Sequence, residues 1–179
     1  MDDIELQAQL EKLHSVSYGW AVNCFSRDRT EAKDVLQMAY LKVLQGKAVY
    51  KGKASFKTWF FSVIRYTAAE ERRRHWFRRL GLAKFADERL TDGFVFEDHR
   101  SEEQAEISKA FRGFFAQLPR RQQEVLHLVF YQDMSLQEAS AVMGVSIGSA
   151  RTHYERGKGK MRNLLGLSKI RFVRDGNGK

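Results

Sequence analysis

Few groupings in this 179-residue chain have the residue types and spacing that covalent chemistry requires. Gly46 followed by Gly52-Lys53 approaches a phosphate-binding loop. Its glycines stand one residue too far apart, and Ala54 occupies the place of the magnesium-binding Ser or Thr. The run Gly157-Lys158-Gly159-Lys160 has no preceding strand or loop. The five histidines, at positions 14, 75, 99, 127 and 153, never fall at the i, i+4 spacing that lets two helical ligands share one metal ion. Glu70-Glu71 and Glu102-Glu103 are adjacent pairs, so on a helix they diverge and read as solvated faces. The expectation is a protein without catalytic residues, metal or cofactor, whose chemistry is recognition.

Recognition chemistry is densest near the C-terminus. Ser135-Leu136-Gln137-Glu138 is a capping box, in which the serine oxygen and the glutamate carboxylate each satisfy a free backbone amide at a helix start. That helix is expected to reach Met143 and stop at Gly144, where a missing Cβ permits the turn. Ser146 then caps a second helix carrying Ser149, Ala150, Arg151, Thr152, Tyr154, Glu155 and Arg156. Ala139, Val142, Val145 and Ala150 fall where the two helices of a helix-turn-helix pack, which lays the second helix in the major groove of DNA. Arg151 can fork to a guanine edge, and Arg156 and Lys158 can pair with phosphates. An ordinary helical hairpin with a solvated basic face is the bland alternative, and the two caps, the glycine turn and the basic second helix favour DNA.

The elements that must hold these residues read as helices throughout. Val35, Leu36, Ala39, Tyr40, Val43 and Leu44 form one helical stripe, Ala110, Phe111, Phe114 and Phe115 another, and Val125, Leu126, Leu128, Val129 and Phe130 a third. Pro119 is the single proline, and no long run alternates at a strand's period. Charge divides the chain: residues 65–84 carry seven basic and two acidic side chains, residues 87–103 seven acidic and two arginines, and residues 151–179 nine basic and two acidic. The expected architecture is all-α, with two small helical domains at 1–81 and 104–179 joined by a flexible acidic linker at 82–103 and frayed ends at Asp175 to Lys179.

Composition narrows the partner. The net charge of +9 calls for a polyanion, and the 43% hydrophobic content is too rich for a disordered chain. One cysteine, Cys24, excludes a disulfide framework or Cys-rich zinc module. No apolar run approaches the roughly 20 residues of a membrane span, so membrane insertion is not expected. The acidic start of the chain differs from a signal peptide, and a cytoplasmic location is expected.

Leu118-Pro119-Arg120-Arg121-Gln122-Gln123-Glu124-Val125-Leu126, followed by the helix-turn-helix, resembles the C-terminal domain of extracytoplasmic-function sigma factors of bacterial RNA polymerase. Asp28-Arg29 with Ala32, Asp34, Val35, Leu36, Gln37, Tyr40, Leu41 and Lys42 is similar to that family's core-binding helix. Ser55-Phe56-Lys57-Thr58-Trp59-Phe60-Phe61, then Ile64-Arg65 and Arg72-Arg73-Arg74, looks like its promoter-opening helix.

The resemblance implies an alternative sigma factor. It would dock on RNA polymerase core through Asp34, Gln37 and Leu41, and capture the minus-ten element as single strand through Lys57, Trp59, Phe60, Arg65, Arg72 and Arg73. It would read the minus-thirty-five duplex through Ser146, Ser149, Arg151, Thr152, Tyr154, Arg156 and Lys158. Planar side chains and cations suit strand capture, because an unpaired base gains stacking and its backbone needs counterions. Phe56, Phe60, Val63, Ile64 and Thr67 also make a helical stripe that suits a core, which gives Phe60 a second reading. Residues 46–55 would form the loop that in relatives pockets a flipped promoter base. Promoter DNA and polymerase core are the implied partners, and an anti-sigma factor is an open third.

The chain departs from the family at Lys33 and Met38, where an acid is common, and at Tyr66, where asparagine is common. Gly157 and Gly159 would each weaken the recognition helix by about 1 kcal/mol relative to alanine. A helix-turn-helix regulator that never joins polymerase is the rival reading, but it leaves Asp34, Gln37 and the Phe56 to Phe61 aromatics without a role. A recombinase needs a placed nucleophile, and none is found.

Overall fold

A computed structural model of the chain describes residues 2–25, 28–81 and 113–164, and every regular element among them is helical. The acidic linker expected at 82–103, Ala110 and Phe111 of the second stripe, and the C-terminal residues Asp175 to Lys179 lie outside the described residues.

The first unit is built from α1 (Asp3–Lys12), α2 (His14–Cys24), α3 (Arg29–Leu44) and α4 (Phe56–Gly81). Asp28 starts α3, its Oδ1 accepting from the amides of Thr30 at 2.9 Å and Glu31 at 3.1 Å. That helix turns Ala32, Val35, Leu36, Ala39 and Val43 inward, while Leu44 of the predicted stripe stays outside. Ser55 starts α4 in the same way, accepting from the Thr58 amide at 3.1 Å. At about 1.5 Å per residue the 26 residues of α4 extend roughly 39 Å. Helices α2, α3 and α4 pack on one another around Trp20, which is fully buried and donates its indole N–H to the Phe61 carbonyl at 2.9 Å. Lys42 adds a polar tie from α3 to Thr67 and Glu70 of α4.

The second unit runs from α5 (Arg120–Leu126) through a wider π turn (His127–Tyr131) to α6 (Leu136–Met143) and α7 (Ile147–Leu164). The expected capping box is present: the Ser135 hydroxyl accepts from the Glu138 amide at 3.2 Å, and Glu138 accepts from the Ser135 amide at 2.9 Å. Helix α6 stops at Gly144, which sits in the left-handed region at φ 62°, and Val145 donates back to the Ser140 carbonyl at 3.1 Å. Ser146 caps α7 by accepting from the Ser149 amide at 3.2 Å. The helix-turn-helix was therefore legible almost to the residue.

The two glycines of α7 lie inside the helix, so the expected cost of about 1 kcal/mol each relative to alanine applies to both. The helix continues through both to Leu164. At Gly157 it crosses α5 so closely that a Cβ would lie 3.0 Å from Leu126 Cδ1 and 3.3 Å from Gln122 Cβ. Gly157 is buried there, where an added Cβ would force Leu126 or Gln122 to give by a few tenths of an ångström, and Gly159 faces open space.

The two units are in contact. Helix α6 packs along α4, and α5 touches α2. Trp20 of α2 and His127 of the π turn meet with ring centroids 5.5 Å apart.

Candidate nucleic-acid and polymerase interfaces

Three faces carry the residues expected to act. On α3, Asp34, Gln37 and Leu41 are all exposed and lie at spacings of three and four, so they share one side of the helix. Leu41 is 52% exposed, a large apolar side chain open beside two polar ones. Lys33 is exposed next to them, and Met38 is half-buried.

On α4 the expected minus-ten residues separate into distinct environments. Phe60 is 0% exposed, stacked against Tyr40 at 5.4 Å, and is corrected from a strand contact to a core residue. Its position on the Phe56–Ile64 stripe faces the bundle. Trp59 is half-buried among aromatic rings, with Phe56 at 5.2 Å and Tyr50 at 5.3 Å. It borders a cavity of about 240 Å³ lined by Val49, Tyr50, Lys51, Lys53, Ala54, Thr58 and Ser62, with Ala141 of α6 contributing from the second unit. Gly46 and Gly52 both take positive φ, 68° and 70°, in the loop that forms one side of that cavity.

The basic residues of α4 are mostly engaged. Lys57 is half-buried and donates to the Gln132 carbonyl at 2.7 Å, and this burial lowers its pKa while Asp133 and Glu138 push it up. Arg65 pairs with Glu124 at 3.4 Å. Arg72 donates to the Cys24 carbonyl, and burial followed by the nearby Arg120 guanidinium brings its pKa down to about 10. Arg73 is exposed.

The recognition helix α7 presents Ser149, Arg151, Thr152 and Arg156 to solvent, along with Ser146 at its cap. Thr152 also donates to the Gly148 carbonyl at 3.0 Å, within its own helix. Tyr154 and Lys158 are placed differently from the expectation. Tyr154 stacks on Phe130 at 5.8 Å, and Lys158 lies 4.4 Å above its ring while pairing with Glu155 at 3.0 Å. The two therefore brace the side of α7, and Lys158 would have to leave its carboxylate and ring to meet a phosphate.

Sequence reasoning missed two residues of consequence. Glu124, 1% exposed, sits between Arg120 at 3.1 Å, Arg121 at 3.3 Å and Arg65 of α4 at 3.4 Å. Its i, i+3 and i, i+4 spacing to the two α5 arginines was visible, but nothing local announced the third partner. His127 is the other. Burial, with Lys57 nearby, lowers its pKa to about 3, so it is neutral at physiological pH.

Two helical units, the second a capped helix-turn-helix with a basic solvent face and the first a bundle with an exposed polar-apolar helix side, define a DNA-binding factor with two working parts. Residues 10–78 match the model of sigma-70 region 2 and residues 108–161 that of sigma-70 region 4, in that order, and the chain belongs to the sigma-70 family as an alternative sigma factor that directs transcription initiation. It is 28% identical over 153 residues to RNA polymerase sigma factor SigZ of Bacillus subtilis, across 84% of this chain and 82% of that one. To the ECF RNA polymerase sigma factor SigX of the same organism it is 24% identical over 157 residues, across 83% and 78% of the two chains. The fold is shared with the sigma factor RpoE solved with the anti-sigma factor NepR from Bartonella quintana, at TM-score 0.75 and 17% identity, over 92% of this chain and 99% of that one. It is shared also with CnrH solved with the cytosolic domain of CnrY, at TM-score 0.58 and 21% identity, over 89% and 86%. Among the described residues no helix is long and apolar enough to cross a membrane.

Proposed function

We propose that the work of initiation is divided between the two units as their faces suggest. Residues 1–81 dock on the polymerase through Asp34, Gln37 and Leu41, and take up the melted minus-ten strand with Trp59 and the cations Lys57, Arg65, Arg72 and Arg73. Residues 104–179 read the minus-thirty-five duplex with the solvent side of α7, and residues 82–103 connect them. The observation that carries this reading is the doubly capped helix-turn-helix with Ser149, Arg151, Thr152 and Arg156 on its open side. The chain supplies recognition, and nucleotidyl transfer stays with the polymerase, which implies a location in the cytoplasm. Because RpoE was solved with an anti-sigma factor, control by such a partner extends the same reading.

Two substitutions test the division. Arg151→Ala weakens binding to the minus-thirty-five duplex by about 1–3 kcal/mol and relaxes its sequence preference, as loss of a bidentate base contact does. Trp59→Ala reduces open-complex formation more on duplex promoter than on a pre-melted bubble, because its ring replaces stacking lost on melting. Unchanged discrimination in the first case, or equal loss on both templates with a folded protein in the second, removes the corresponding assignment.

A further inference from the structure

The last turns of α4 are fixed to the bundle along one side only. Glu71 is buried, Arg72 donates to the Cys24 carbonyl, and His75 pairs with Glu31 at 3.3 Å and meets Phe25 edge-on at 5.6 Å. Clear of that side, Trp76, Phe77 and Leu80 are 59%, 63% and 56% exposed. Spacings of three and four gather them into one patch with Arg73, and the Trp76 and Phe77 rings touch edge to face at 5.3 Å. Large apolar side chains grouped in solvent mark a contact surface. From Arg72 to Gly81 the helix carries five arginines and no acid, and Arg73, Arg74 and Arg78 are exposed. The complement of such a patch is a polyanion with an apolar interior to enter.

We propose that this end of α4 is a further DNA contact: Trp76, Phe77 and Leu80 wedge into the minor groove of the promoter duplex between the two elements, and Arg78 meets its phosphates. Apolar wedges beside arginines are the chemistry of minor-groove binding, in which unstacking a base step is offset by the closer fit of a bent duplex. Continuity selects the duplex. Arg73 belongs both to this patch and to the face assigned to the minus-ten strand, and Trp76 lies roughly 26 Å beyond Trp59 along the axis, at about 1.5 Å per residue. That span matches about eight base pairs at about 3.4 Å each. At this end the chain also leaves for the unit assigned to the minus-thirty-five element. The proposal rests on those two assignments, which together bring the duplex between the elements to the patch.

The test uses holoenzyme assembled from core and the full chain, on a promoter mapped by run-off transcription with wild type. 2-Aminopurine, placed at successive positions of the duplex between the elements, brightens where a base step is unstacked. A second template ends just upstream of the minus-ten element and presents that element as single strand. Trp76→Ala/Phe77→Ala removes the wedge at exposed positions. Arg78→Ala removes only a charge, and decides the matter if the double variant fails to fold by circular dichroism. We expect wild type to brighten one site between the elements, and the double variant to lose that signal and about tenfold in binding to the complete promoter. Arg78→Ala should bind the complete promoter more weakly, with a shallower salt dependence. Both variants should bind the shortened template as wild type does. No brightening at any position, or unchanged binding to the complete promoter, overturns the proposal. Equal loss on both templates also overturns it, because the patch then belongs to the strand site, and so does weaker binding to core itself, which marks a polymerase contact. Trp59→Ala on the shortened template tests the minus-ten assignment separately: if that variant binds like wild type the assignment fails, independently of the signal between the elements.

Discussion

Alanine at Gly157 and alanine at Gly159 form a matched pair of perturbations on the recognition helix. Both glycines lie inside α7, so each replacement gains about 1 kcal/mol of helix propensity. At Gly159 nothing stands within 4 Å of the new methyl, and Gly159→Ala should stabilise the protein by nearly that full amount. At Gly157 the methyl meets Leu126 Cδ1 at 3.0 Å and Cγ at 3.2 Å, and Gln122 Cβ at 3.3 Å. Leu126 is 3% exposed, and the Gln122 Cβ is fixed to the α5 backbone. Overpacking of this kind costs about 1–3 kcal/mol, so Gly157→Ala should run from neutral to about 2 kcal/mol destabilising. The propensity gain cancels in the difference between the two variants, which should be about 1–3 kcal/mol in favour of Gly159→Ala. Urea unfolding followed by circular dichroism measures it, provided the slopes agree. If Gly157→Ala proves as stable as Gly159→Ala, the close crossing of α5 and α7 is wrong.

Acid should weaken the native state through His127. The folded chain holds its imidazole neutral with a pKa near 3, and the unfolded chain takes up the proton near 6.5. The stability this confers is whole above pH 6.5 and falls by about 1.4 kcal/mol per pH unit as the pH drops toward 3. Between about pH 7.5 and about 5.5, wild type should therefore lose about 1 kcal/mol more than His127→Gln in urea unfolding, and parallel losses refute the assignment. At the docking face, Asp34→Ala should weaken affinity for polymerase core and Lys33→Glu should tighten it, each by under about 1 kcal/mol and more clearly at low salt. A titration with labelled core at two salt concentrations checks both, and an Asp34→Ala chain that binds like wild type moves the docking face elsewhere. Ser135→Ala should cost about 1 kcal/mol by freeing the Glu138 amide, measurable as a lower urea midpoint.

What could be read from sequence was whatever local chemistry dictates. A serine three residues before a glutamate, a glycine at a helix end and a serine before α7 act through atoms within a few residues, and all three caps formed as expected. The inward stripe of α3 followed from period alone. What could not be read depends on which helix lies opposite. Phe60 fitted both a strand contact and a core stripe, and only the position of α3, with Tyr40 on it, decides for the core. Gly157 looked like a defect in a helix until Leu126 was found 3.0 Å from where its Cβ would be. Tyr154 and Lys158 looked free to meet DNA, but Phe130, half-exposed at the end of the third stripe, stacks under the tyrosine. Glu124 carried a legible pairing within α5, while its contact with Arg65 spans 59 residues of sequence and has no local signature.

The central claim is that this chain makes RNA polymerase start at promoters. Purified chain should be mixed with bacterial RNA polymerase core and a genomic fragment library, and run-off transcripts mapped to their start sites. The account predicts discrete starts that require both core and the chain, share elements near minus-ten and minus-thirty-five, and lose the upstream preference with Arg151→Ala. Transcription no different from core alone, by a chain that still binds duplex DNA, would contradict it and leave a helix-turn-helix regulator in its place.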